Sequence, residues 1–464
     1  MPSSPSRSPQ AALDLLRQRF GDRLETGLPI RTQHAHSLTW VTPEPPDAVL
    51  FAETEADITT SVEICRGHRL PIIPFGAGTS LEGQVNAPRG GLSIDLSRMN
   101  RILAVNHGDL DVVVETGVTR KQLNEHLRDL GLFFPVDPGA EHATLGGMAS
   151  TRASGTMAVR YGTMRENVLS LRAVMADGSI VTTSRRSRKS SAGYDLTRLL
   201  VGAEGTLGII TELTLRVYGI PETVLAAVCP FKTLEGACNT VIQSIQLGLG
   251  LARMELIDEL QIKGFNLHSG TSFAEQPTLF LEFHGTPAAT AEQIVTFRAI
   301  AESEGALGFE QAERPEDRNR LWKARHDAYW SAKALRPGAD LFATDVSVPI
   351  SRLADCILET RRDQEASGIV APLVGHVGDG NFHLVPLFDL KDATEVAKIK
   401  AFTHRLVERA LAMGGTSTGE HGIGQGKMGY MAAEHGTGLR VMRAIKQALD
   451  PEGLLNPGKI LPPA

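Results

Sequence analysis

The stretch PIIPFGAGTSLEG, residues 71–83, places a glycine-rich turn directly after a short apolar run. A dinucleotide fingerprint of the G-x-G-x-x-G type needs a third glycine at position 81 and a helix that opens there. Position 81 is Leu81, and the following EGQVNAPRGG (82–91) cannot form a helix. A nicotinamide-type fold is therefore disfavoured. Two interpretations stay open: a loop whose backbone N–H groups converge on a diphosphate, or a plain glycine hairpin.

Two further runs of small residues occur downstream of this loop, HATLGGMASTRASGT (142–156) and VGAEGTLGIITEL (201–213). Such runs are typical of places where a backbone lies against a flat, extended ligand, because bulky side chains would keep the ligand away. The segment between them, NVLSLRAVMADGSIV (167–181), predicts a β-hairpin. Together the three runs favour the ligand-binding interpretation of the first loop.

The chain of 464 residues is too long for one hydrophobic core. The sequence predicts an N-terminal helical segment at 1–42, a strand-rich α+β domain at 43–221 and a second domain at 222–415. In the second domain, helical patterns alternate with single strands, which predicts helices on one face of a small antiparallel sheet. A glycine-rich loop opens a C-terminal segment, predicted at 416–464.

Composition excludes several classes of protein. A net charge of -6 gives no basic footprint for nucleic acid. No apolar run is long enough to span a bilayer, and the opening MPSSPSRSPQ (1–10) is either a weak organelle-targeting segment or a frayed tail. Cys65, Cys229, Cys238 and Cys356 have no C-x-x-C spacing, which argues against an iron–sulfur cluster, a zinc ribbon or a redox dithiol. Electrons moved by this protein would need an external carrier.

Two histidines frame the glycine loop GHVGDGNFH (375–383) between apolar runs. On adjoining strands His376 and His383 would reach one cavity, and two imidazoles with a carboxylate suit a divalent metal. Glu420 is the candidate carboxylate, and the adjacent His421 is the candidate general base, because an imidazole titrates near working pH. The alternatives are hydrogen-bonded core histidines, and a His421 that only orients a metal ligand.

The candidate cation for an anionic substrate is Arg325, in LWKARHDAYW (321–330). Leu321, Trp322, Arg325 and Tyr329 recur at helical spacing, so Arg325 would face an aromatic-lined cleft and bind a carboxylate with its planar guanidinium. The alternative is an arginine on the protein surface.

In this order along the chain, the motifs at 45–220 resemble the FAD-binding domain of the vanillyl-alcohol oxidase and p-cresol methylhydroxylase family, with PFGAGTSLEG (74–83) as its pyrophosphate loop. Residues 222–464 resemble the C-terminal half of the branch that oxidises D-2-hydroxy acids. That branch includes D-lactate dehydrogenase, the FAD subunit of glycolate oxidase and D-2-hydroxyglutarate dehydrogenase. The resemblance implies an α+β protein: a two-lobed FAD-binding domain, an α+β substrate or cap domain with an antiparallel sheet, and a C-terminal segment that returns to the flavin.

The resemblance also implies non-covalent FAD. The residues expected to contact it are Pro74, Gly76, Ala77, Gly78, Thr79, Ser80, Leu81, Gly83, Pro138, Thr144, Gly146, Gly147, Ala149, Ser150, Ala153, Gly155, Tyr161, Glu204, Gly205, Gly208, Ile209, Ile210 and Asn456. In the same resemblance His376, His383 and Glu420 match the ligands of a divalent metal, zinc or manganese. His421 would take the hydroxyl proton, Arg325 would bind the substrate carboxylate, and hydride would pass to the flavin N5.

Two departures from the hydroxyglutarate enzymes bear on the substrate. A lysine expected two residues before Asp345 is Ala343, and an asparagine expected two residues after His383 is Val385. Both changes remove polar groups that would hold a second carboxylate. We therefore expect a D-2-hydroxy monocarboxylic acid, with D-lactate favoured, to be oxidised to the 2-oxo acid.

The expected partners are this small hydroxy acid and an external electron acceptor: a cytochrome, a quinone or an electron-transfer flavoprotein. We expect a cytoplasmic location, or a mitochondrial one if the source is a eukaryote. Peripheral association with a membrane and formation of a homodimer both stay open. The rival functions are the catalytic subunit of a glycolate oxidase, D-2-hydroxyglutarate dehydrogenase, a transferase of the alkyl-glycerone-phosphate synthase type and a catalytically silent binding module.

Overall fold

The computed structural model describes residues 8–312 and 314–463, so the candidate targeting segment at residues 1–7 lies outside the described residues. The chain divides into two compact units. Unit 1 contains the residues up to Ser154, Gly162–Ile220 and the residues from Glu420 onwards. Unit 2 contains Gly155–Tyr161 and Pro221–Gly419. The short segment 155–161 thus belongs to unit 2, although it lies within the predicted domain at 43–221.

The α-helices of the described residues are α1 (Pro9–Phe20), α2 (Leu28–Gln33), α3 (Glu55–His68), α4 (Arg120–Arg128), α5 (Leu145–Thr151), α6 (Ala158–Tyr161), α7 (Met164–Asn167), α8 (Leu196–Leu200), α9 (Leu234–Gln246), α10 (Glu259–Ser269), α11 (Pro287–Ser303), α12 (Pro315–His326), α13 (Ala328–Ala334), α14 (Leu353–Ser367), α15 (Ala393–Ala412), α16 (Met431–His435) and α17 (Gly438–Leu449). Short 3-10 helices occupy Gly21–Arg23, Ile350–Arg352, Val377–Asp379 and Met428–Tyr430.

The strands are β1 (Leu24–Glu25), β2 (Ala48–Phe51), β3 (Ile72–Phe75), β4 (Leu92–Asp95), β5 (Ile102–Asn106), β6 (Asp111–Glu115), β7 (Leu132–Phe133), β8 (Val168–Val174), β9 (Ile180–Thr182), β10 (Ile209–Arg216), β11 (Tyr218–Gly219), β12 (Thr223–Pro230), β13 (Arg253–Ile257), β14 (Thr278–Gly285), β15 (Glu310–Ala312), β16 (Asp340–Leu341), β17 (Val346–Ser347), β18 (Leu373–Gly375), β19 (Asn381–Leu384) and β20 (Leu387–Phe388). The predicted hairpin at 167–181 is confirmed, because β8 and β9 pair antiparallel.

Unit 1 is built on two larger sheets. One has the order β1-β2-β4-β3, with β2, β4 and β3 parallel, and the other is antiparallel with the order β5-β6-β10-β8-β9. The apolar strands of the first sheet pack against α1 and α3 through Leu16 and Ile58. The C-terminal segment returns to this sheet, since the N–H of Asn456 donates to the carbonyl of Ile72 at 2.8 Å. The end of the chain therefore lies beside β3, the strand that leads into the loop at 74–83.

Unit 2 is built on an antiparallel sheet with the order β15-β12-β14-β13-β18-β19-β17. Directly paired residues of antiparallel strands place their side chains on the same face. The register pairs Ile257 with Val374, and Val374 with His383. Glu255 lies two positions before Ile257, and His376 lies two positions after Val374. One face of this sheet therefore carries the side chains of Glu255, His376 and His383.

Helices cover both faces of this sheet, so the expectation that they lie on one face is wrong. On the face that carries Phe280, an apolar cluster includes Phe265 of α10 and Trp322 of α12. On the opposite face, Phe283 makes an edge-to-face contact with Phe297 of α11, their ring centroids 6.1 Å apart. Both faces of the central strands are apolar enough to bury a helix layer. Among residues 8–312 and 314–463, no helix combines the length and apolar character needed to cross a membrane.

Candidate active site

The loop at 74–83 in unit 1 presents backbone N–H groups rather than side chains. No oxygen of the described residues accepts a hydrogen bond from the backbone N–H groups of residues 76–81. The hydroxyl of Ser80 is buried and has no hydrogen-bond partner among residues 8–312 and 314–463. Gly78 has a φ of 66°, which a residue with a side chain rarely adopts. Residues 76–81 are partly or fully exposed, so a ligand can reach their N–H groups, and successive free amides of this kind suit an anion such as a diphosphate.

Helix α5 begins against this loop. The side chain of Thr144 caps the helix by accepting a hydrogen bond from the N–H of Gly147. A Cβ atom at position 76 would overlap the hydroxyl of this same threonine, and a Cβ at position 146 would overlap Thr116. Gly76 is thus required where the loop meets the helix, and Gly146 where the helix packs against the residue that follows β6.

Two other predicted cofactor segments meet the loop in unit 1. A Cβ at Gly205 would overlap Pro74, and the N–H of Glu204 donates to the carbonyl of Ser150 at 2.8 Å. The side-chain amide of Asn456 donates to the carbonyl of Glu204 at 2.7 Å. Segments that are far apart in sequence are therefore joined around one loop.

Several other residues expected to contact FAD lie on or next to these elements, and two lie in unit 2. Ala149 and Ser150 lie on α5 and Ala153 follows it, Gly208 precedes β10, and Ile209 and Ile210 open that strand. Gly155 and Tyr161 belong to unit 2. There the hydroxyl of Tyr161 shares a 2.7 Å hydrogen bond with Nδ1 of His284.

Glu204 also ties down the loop that contains Glu420 and His421. Its carboxylate accepts hydrogen bonds from the backbone N–H groups of Ile423, at 2.6 Å, and Gly424, at 2.8 Å. Burial raises the pKa of Glu204 to about 7, and the negative charge of Glu82 adds to this effect, although the two N–H donors oppose it. The loop geometry therefore depends on a carboxyl group that titrates near neutrality.

His421 lies next to Glu82, at the end of the glycine loop, and Gln84, just after it. The amide of Gln84 donates to the carbonyl of His421 at 2.8 Å. Nδ1 of His421 lies 3.6 Å from a carboxylate oxygen of Glu82, and only 7% of the His421 side chain is exposed. Lys427 lies 3.4 Å from the same oxygen. An imidazole next to a carboxylate is stabilised when it accepts a proton, so this geometry suits a general base.

In unit 2 the structure brings His376 and His383 together. Their ring centroids are 5.4 Å apart, with the rings nearly perpendicular. Nδ1 of His383 lies 2.8 Å from the carbonyl oxygen of Thr344, which can only accept, so this nitrogen carries the proton. Nδ1 of His376 lies 2.7 Å from a carboxylate oxygen of Glu255.

Glu255 is ionised, so it also acts as an acceptor toward His376. Burial alone would raise the pKa of Glu255, but the charge of Arg325 and the hydrogen bonds that His376 and Arg325 donate hold it below its usual value. In each neutral ring the proton therefore sits on Nδ1, and Nε2 is the unprotonated nitrogen. This is the tautomer that binds a metal ion through Nε2 while a neighbouring acceptor orients the ring. The two histidines fit a divalent metal.

Arg325 is buried, with 9% of its surface exposed, so the surface-arginine interpretation is wrong. Its Nε and Nη2 atoms lie 2.7 and 2.6 Å from one carboxylate oxygen of Glu255. The predicted helical row is interrupted, because α12 ends at His326 and Tyr329 lies on α13. Arg325 is thus oriented by an ion pair on the sheet face rather than by an uninterrupted helical row.

The chain approaches Glu420 from unit 2. The hydroxyl of Thr418 donates to Asp345 at 2.7 Å, and a Cβ at Gly419 would overlap the side chain of Asn381 on β19, the strand of His383. Nδ1 of His383 lies 3.8 Å from the other oxygen of Asp345. Gly419 is the last residue of unit 2, and Glu420, which directly follows it, is the residue at which unit 1 resumes.

Two family profiles match the chain. Residues 46–184 match an FAD-binding domain, and residues 220–460 match the C-terminal domain of FAD-linked oxidases. The chain belongs to the FAD-linked oxidase family. Its cofactor is FAD, as the resemblance implied.

This FAD-linked oxidase is similar to two curated relatives over most of its length. It is 48% identical to "Probable D-lactate dehydrogenase, mitochondrial" of Danio rerio, over 99% of this chain and 93% of the relative. It is 45% identical to "D-lactate dehydrogenase [cytochrome], mitochondrial" of Arabidopsis thaliana, over 90% of this chain and 74% of the relative.

Among solved structures, p-cresol methylhydroxylase with bound substrate superposes on this FAD-linked oxidase with a TM-score of 0.82. The alignment covers 97% of this chain and 96% of the other, at 17% identity. At this level of identity the likeness concerns the fold alone. The predicted α+β fold class is confirmed.

Several residues of this FAD-linked oxidase that contact the predicted site residues were not predicted from the sequence. Glu255, Thr344 and Asp345 surround the two histidines, and Glu82 and Gln84 hold His421. One signal was available for Glu255: an acidic residue lies between apolar neighbours in the strand RMELI. A charge inside a buried strand needs a charged or hydrogen-bonding partner, so this pattern predicts a functional or structural ion pair at Glu255.

Proposed function

We propose that this FAD-linked oxidase oxidises a D-2-hydroxy monocarboxylic acid, D-lactate in the first place, to the corresponding 2-oxo acid. The observation that carries the proposal is the sheet face of unit 2. It holds two histidines whose Nε2 atoms are unprotonated, and an oriented, buried arginine. Support also comes from the names of the relatives from Danio rerio and Arabidopsis thaliana, both D-lactate dehydrogenases.

The proposal assigns a divalent metal ion, zinc or manganese, to His376, His383 and Glu420. Two imidazoles and one carboxylate are ligands that both ions accept, with positions left for substrate. The path of the chain supports the third ligand, because Gly419 packs against Asn381 on the strand of His383. A metal bound by these residues would lower the pKa of the substrate hydroxyl, so that a weak base suffices.

The proposal gives His421 the role of general base. Oxidation of a secondary alcohol removes a proton from oxygen and a hydride from carbon, and the C–O single bond becomes a carbonyl. FAD, when bound, accepts the hydride at its isoalloxazine ring. His421 takes the proton, and the carboxylate of Glu82, 3.6 Å from Nδ1, stabilises the charge that the imidazole gains.

Arg325 is assigned to the substrate carboxylate. A guanidinium has five N–H groups, and Glu255 engages those on Nε and Nη2. The remaining donors retain the planar geometry that matches a carboxylate. Because Glu255 already fixes the rotamer, little side-chain entropy is lost when substrate binds.

The size of the substrate follows from two apolar positions. Val385 is 3% exposed and packs in the apolar cluster of unit 2 with Leu387, so it offers no polar contact to a ligand. Ala343 immediately precedes Thr344, whose carbonyl orients His383, and it also carries no polar group. Both positions favour a short, apolar side chain on the hydroxy acid over a second carboxylate.

The name of one relative supports a proposal for the electron acceptor. The Arabidopsis thaliana relative is called a cytochrome-linked enzyme, so we propose a cytochrome as the acceptor, with a quinone or an electron-transfer flavoprotein as the outcomes to compare. The names of both relatives also suggest a mitochondrial location if the source is a eukaryote. Homodimer formation stays a prediction.

The test is anaerobic bleaching of the bound flavin by a panel of hydroxy acids. D-lactate should reduce the flavin rapidly, and L-lactate, glycolate and D-2-hydroxyglutarate should do so slowly or not at all. A preference for glycolate would favour the glycolate oxidase function. A preference for D-2-hydroxyglutarate would contradict the proposal that Val385 and Ala343 disfavour a second carboxylate. No reduction by any hydroxy acid would favour the transferase or a silent binding module.

A further inference from the structure

Glu255 contacts both a proposed metal ligand, His376, and the proposed carboxylate-binding arginine, Arg325. It lies in the middle of β13 with 0% of its side chain exposed. One carboxylate oxygen lies 2.7 Å from Nδ1 of His376. The other lies 2.7 Å from Nε and 2.6 Å from Nη2 of Arg325. A single buried side chain therefore joins the two halves of the proposed substrate site.

We infer that Glu255 is a positioning residue that sets two properties at once: the metal-binding tautomer of His376 and the substrate-binding orientation of Arg325. The inference rests on the proposed function, which gives His376 and Arg325 their roles. It adds a residue that touches neither metal nor substrate and yet controls how both are bound. It follows that metal binding and carboxylate recognition share one support and fail together when that support is lost.

Only an acceptor with two independent oxygens can satisfy both partners. Arg325 has N–H groups and no lone pair, so it can only donate. His376 must also donate from Nδ1 if Nε2 is to bind a metal ion. The residue between them therefore has to accept on both sides. An ionised carboxylate does this, because each of its oxygens is an acceptor.

A glutamine of nearly the same shape cannot satisfy both partners, since its amide has one oxygen and one NH2 group. If the oxygen faces Arg325, the NH2 group faces His376 and donates to its Nδ1. The ring proton then sits on Nε2, and a protonated Nε2 cannot bind a metal ion. If the oxygen faces His376, the NH2 group meets the N–H groups of Arg325 and displaces the guanidinium. Glu255→Gln therefore damages at least one function by hydrogen-bond chemistry, with little change in volume.

A second glutamate on the same sheet face shows that a buried Glu–His pair is not in itself a metal-site signature. Glu282 accepts from Nε2 of His284 at 2.8 Å and lies 3.6 Å from Arg253. The other ring nitrogen of His284 is bonded to the hydroxyl of Tyr161 at 2.7 Å. Both nitrogens of His284 are thus used by the protein, and this pair braces segment 155–161 instead. The position next to His376 gives Glu255 its distinct role.

The experiment compares the wild-type holoprotein with Glu255→Gln and, as a matched control, Asp258→Asn. Asp258 is equally buried and ion-paired, 2.7 Å from Arg361, and asparagine keeps its role as the cap of α10. Affinities for Zn²⁺ and Mn²⁺ are measured by competition with a chelator. Affinity for D-lactate is measured separately, from the D-lactate concentration that gives half the maximal rate of anaerobic flavin reduction. Flavin content and melting temperature report folding.

We expect Glu255→Gln to lose metal affinity, substrate affinity or both by roughly ten- to hundredfold, while Asp258→Asn keeps both near wild type. A purely structural role would lower the melting temperature and leave the affinities of the folded fraction unchanged. A folded Glu255→Gln variant with both affinities within about twofold of wild type overturns the inference and leaves the proposed function standing. A wild-type protein that D-lactate reduces but that binds neither ion overturns both the metal assignment and this inference.

A double variant guards against misfolding of Glu255→Gln. Glu255→Met with Arg325→Met replaces the buried ion pair by apolar side chains of similar length, a change that is often neutral for stability. His376 then lacks its acceptor although the fold is retained. Metal affinity should fall by roughly ten- to hundredfold, even though neither replaced residue is a proposed ligand. Unchanged metal affinity in this folded double variant would refute the role of Glu255.

Discussion

The carboxylate of Glu204 accepts a hydrogen bond from the backbone N–H of Gly424, 220 positions further along the chain, at 2.8 Å. The adjacent Ile423 donates to the other oxygen at 2.6 Å. This contact holds the segment that carries His421 to the segment expected to lie along the flavin. The geometry of the proposed base is therefore set by a buried acid that no local sequence pattern links to it.

The buried carboxyl of Glu204 should make stability depend on pH. Its pKa is raised from 4.5 to about 7 in the folded chain, so the folded state retains a proton that the unfolded chain has lost. The stabilisation that the protonated Glu204 carboxyl gives the folded state is fully present below pH 4.5. It is lost as the pH rises through 7. The loss amounts to about 3 kcal/mol.

Glu204→Gln removes this titration. The melting temperature of the wild type should therefore fall relative to that of Glu204→Gln when the pH is raised from 5 to 8. Flavin fluorescence reports the melting. Glu63→Gln, an exposed glutamate on α3, is the control and should show no such shift. A wild-type advantage that is constant with pH would place the proton elsewhere.

Much of the architecture could be predicted because it depends on local pattern. Leu81 and the sequence after it excluded a helix, and the loop is indeed followed by irregular chain before β4. The hairpin of β8 and β9 followed from β-branched runs around a glycine turn. The glycine loop between His376 and His383 is too short for anything but adjacent strands, and these strands pair.

The contacts that support the site could not be predicted, because they join residues far apart in sequence. Glu255 meets His376 across 121 positions and Arg325 across 70. The break between α12 and α13 at Asp327 was missed because helical periodicity continues across it. The helices on the second sheet face were missed because their apolar residues do not reveal which side of a sheet they cover. Such features depend on tertiary packing rather than on local propensity.

Gly76→Ala should weaken flavin binding through helix α5. A Cβ at this position overlaps the hydroxyl of Thr144, which caps α5 and lies where the loop meets the helix. Loss of the cap alone costs about 1 kcal/mol, and displacement of the loop amides would add to it. We expect lower flavin content after purification and a lower melting temperature. Gly67→Ala on α3, with open space around it, is the control and should match or exceed wild type in stability.

His383→Ala should lose divalent metal and turnover together and retain flavin. Its Nδ1 is bound to the carbonyl of Thr344, so the substitution removes one proposed ligand without opening the flavin segments of unit 1. Metal content measured by elemental analysis should fall to background, with the flavin spectrum preserved. Chelation of the wild type should reproduce the loss, and Zn²⁺ or Mn²⁺ should restore it. An active, metal-free His383→Ala protein would contradict the metal assignment.

His421→Ala should lower turnover roughly a hundred- to ten-thousandfold if this residue is the general base. Metal content and flavin content should stay near wild type, which separates loss of a base from loss of the site. His404→Ala, an exposed histidine on α15, is the control. A fall below about threefold, measured as the rate of flavin bleaching by saturating D-lactate, would show that His421 only orients its neighbours.

Arg325→Met should weaken both substrate binding and the fold, and the two effects have different origins. The lost charge-assisted contact should reduce affinity for D-lactate by about 2 to 4 kcal/mol. The fold should lose about 3 to 5 kcal/mol, because Glu255 is left as a buried charge without its arginine partner.

Arg325→Lys separates these two effects. A lysine keeps the positive charge next to Glu255 and so should recover most of the melting temperature. It lacks the planar set of donors that binds Glu255 and a carboxylate together, so affinity for D-lactate should stay low. The dependence of the anaerobic flavin reduction rate on D-lactate concentration gives the affinity, and a thermal melt gives the stability. If Arg325→Lys restores affinity as fully as stability, the arginine only neutralises Glu255 and another group binds the substrate carboxylate.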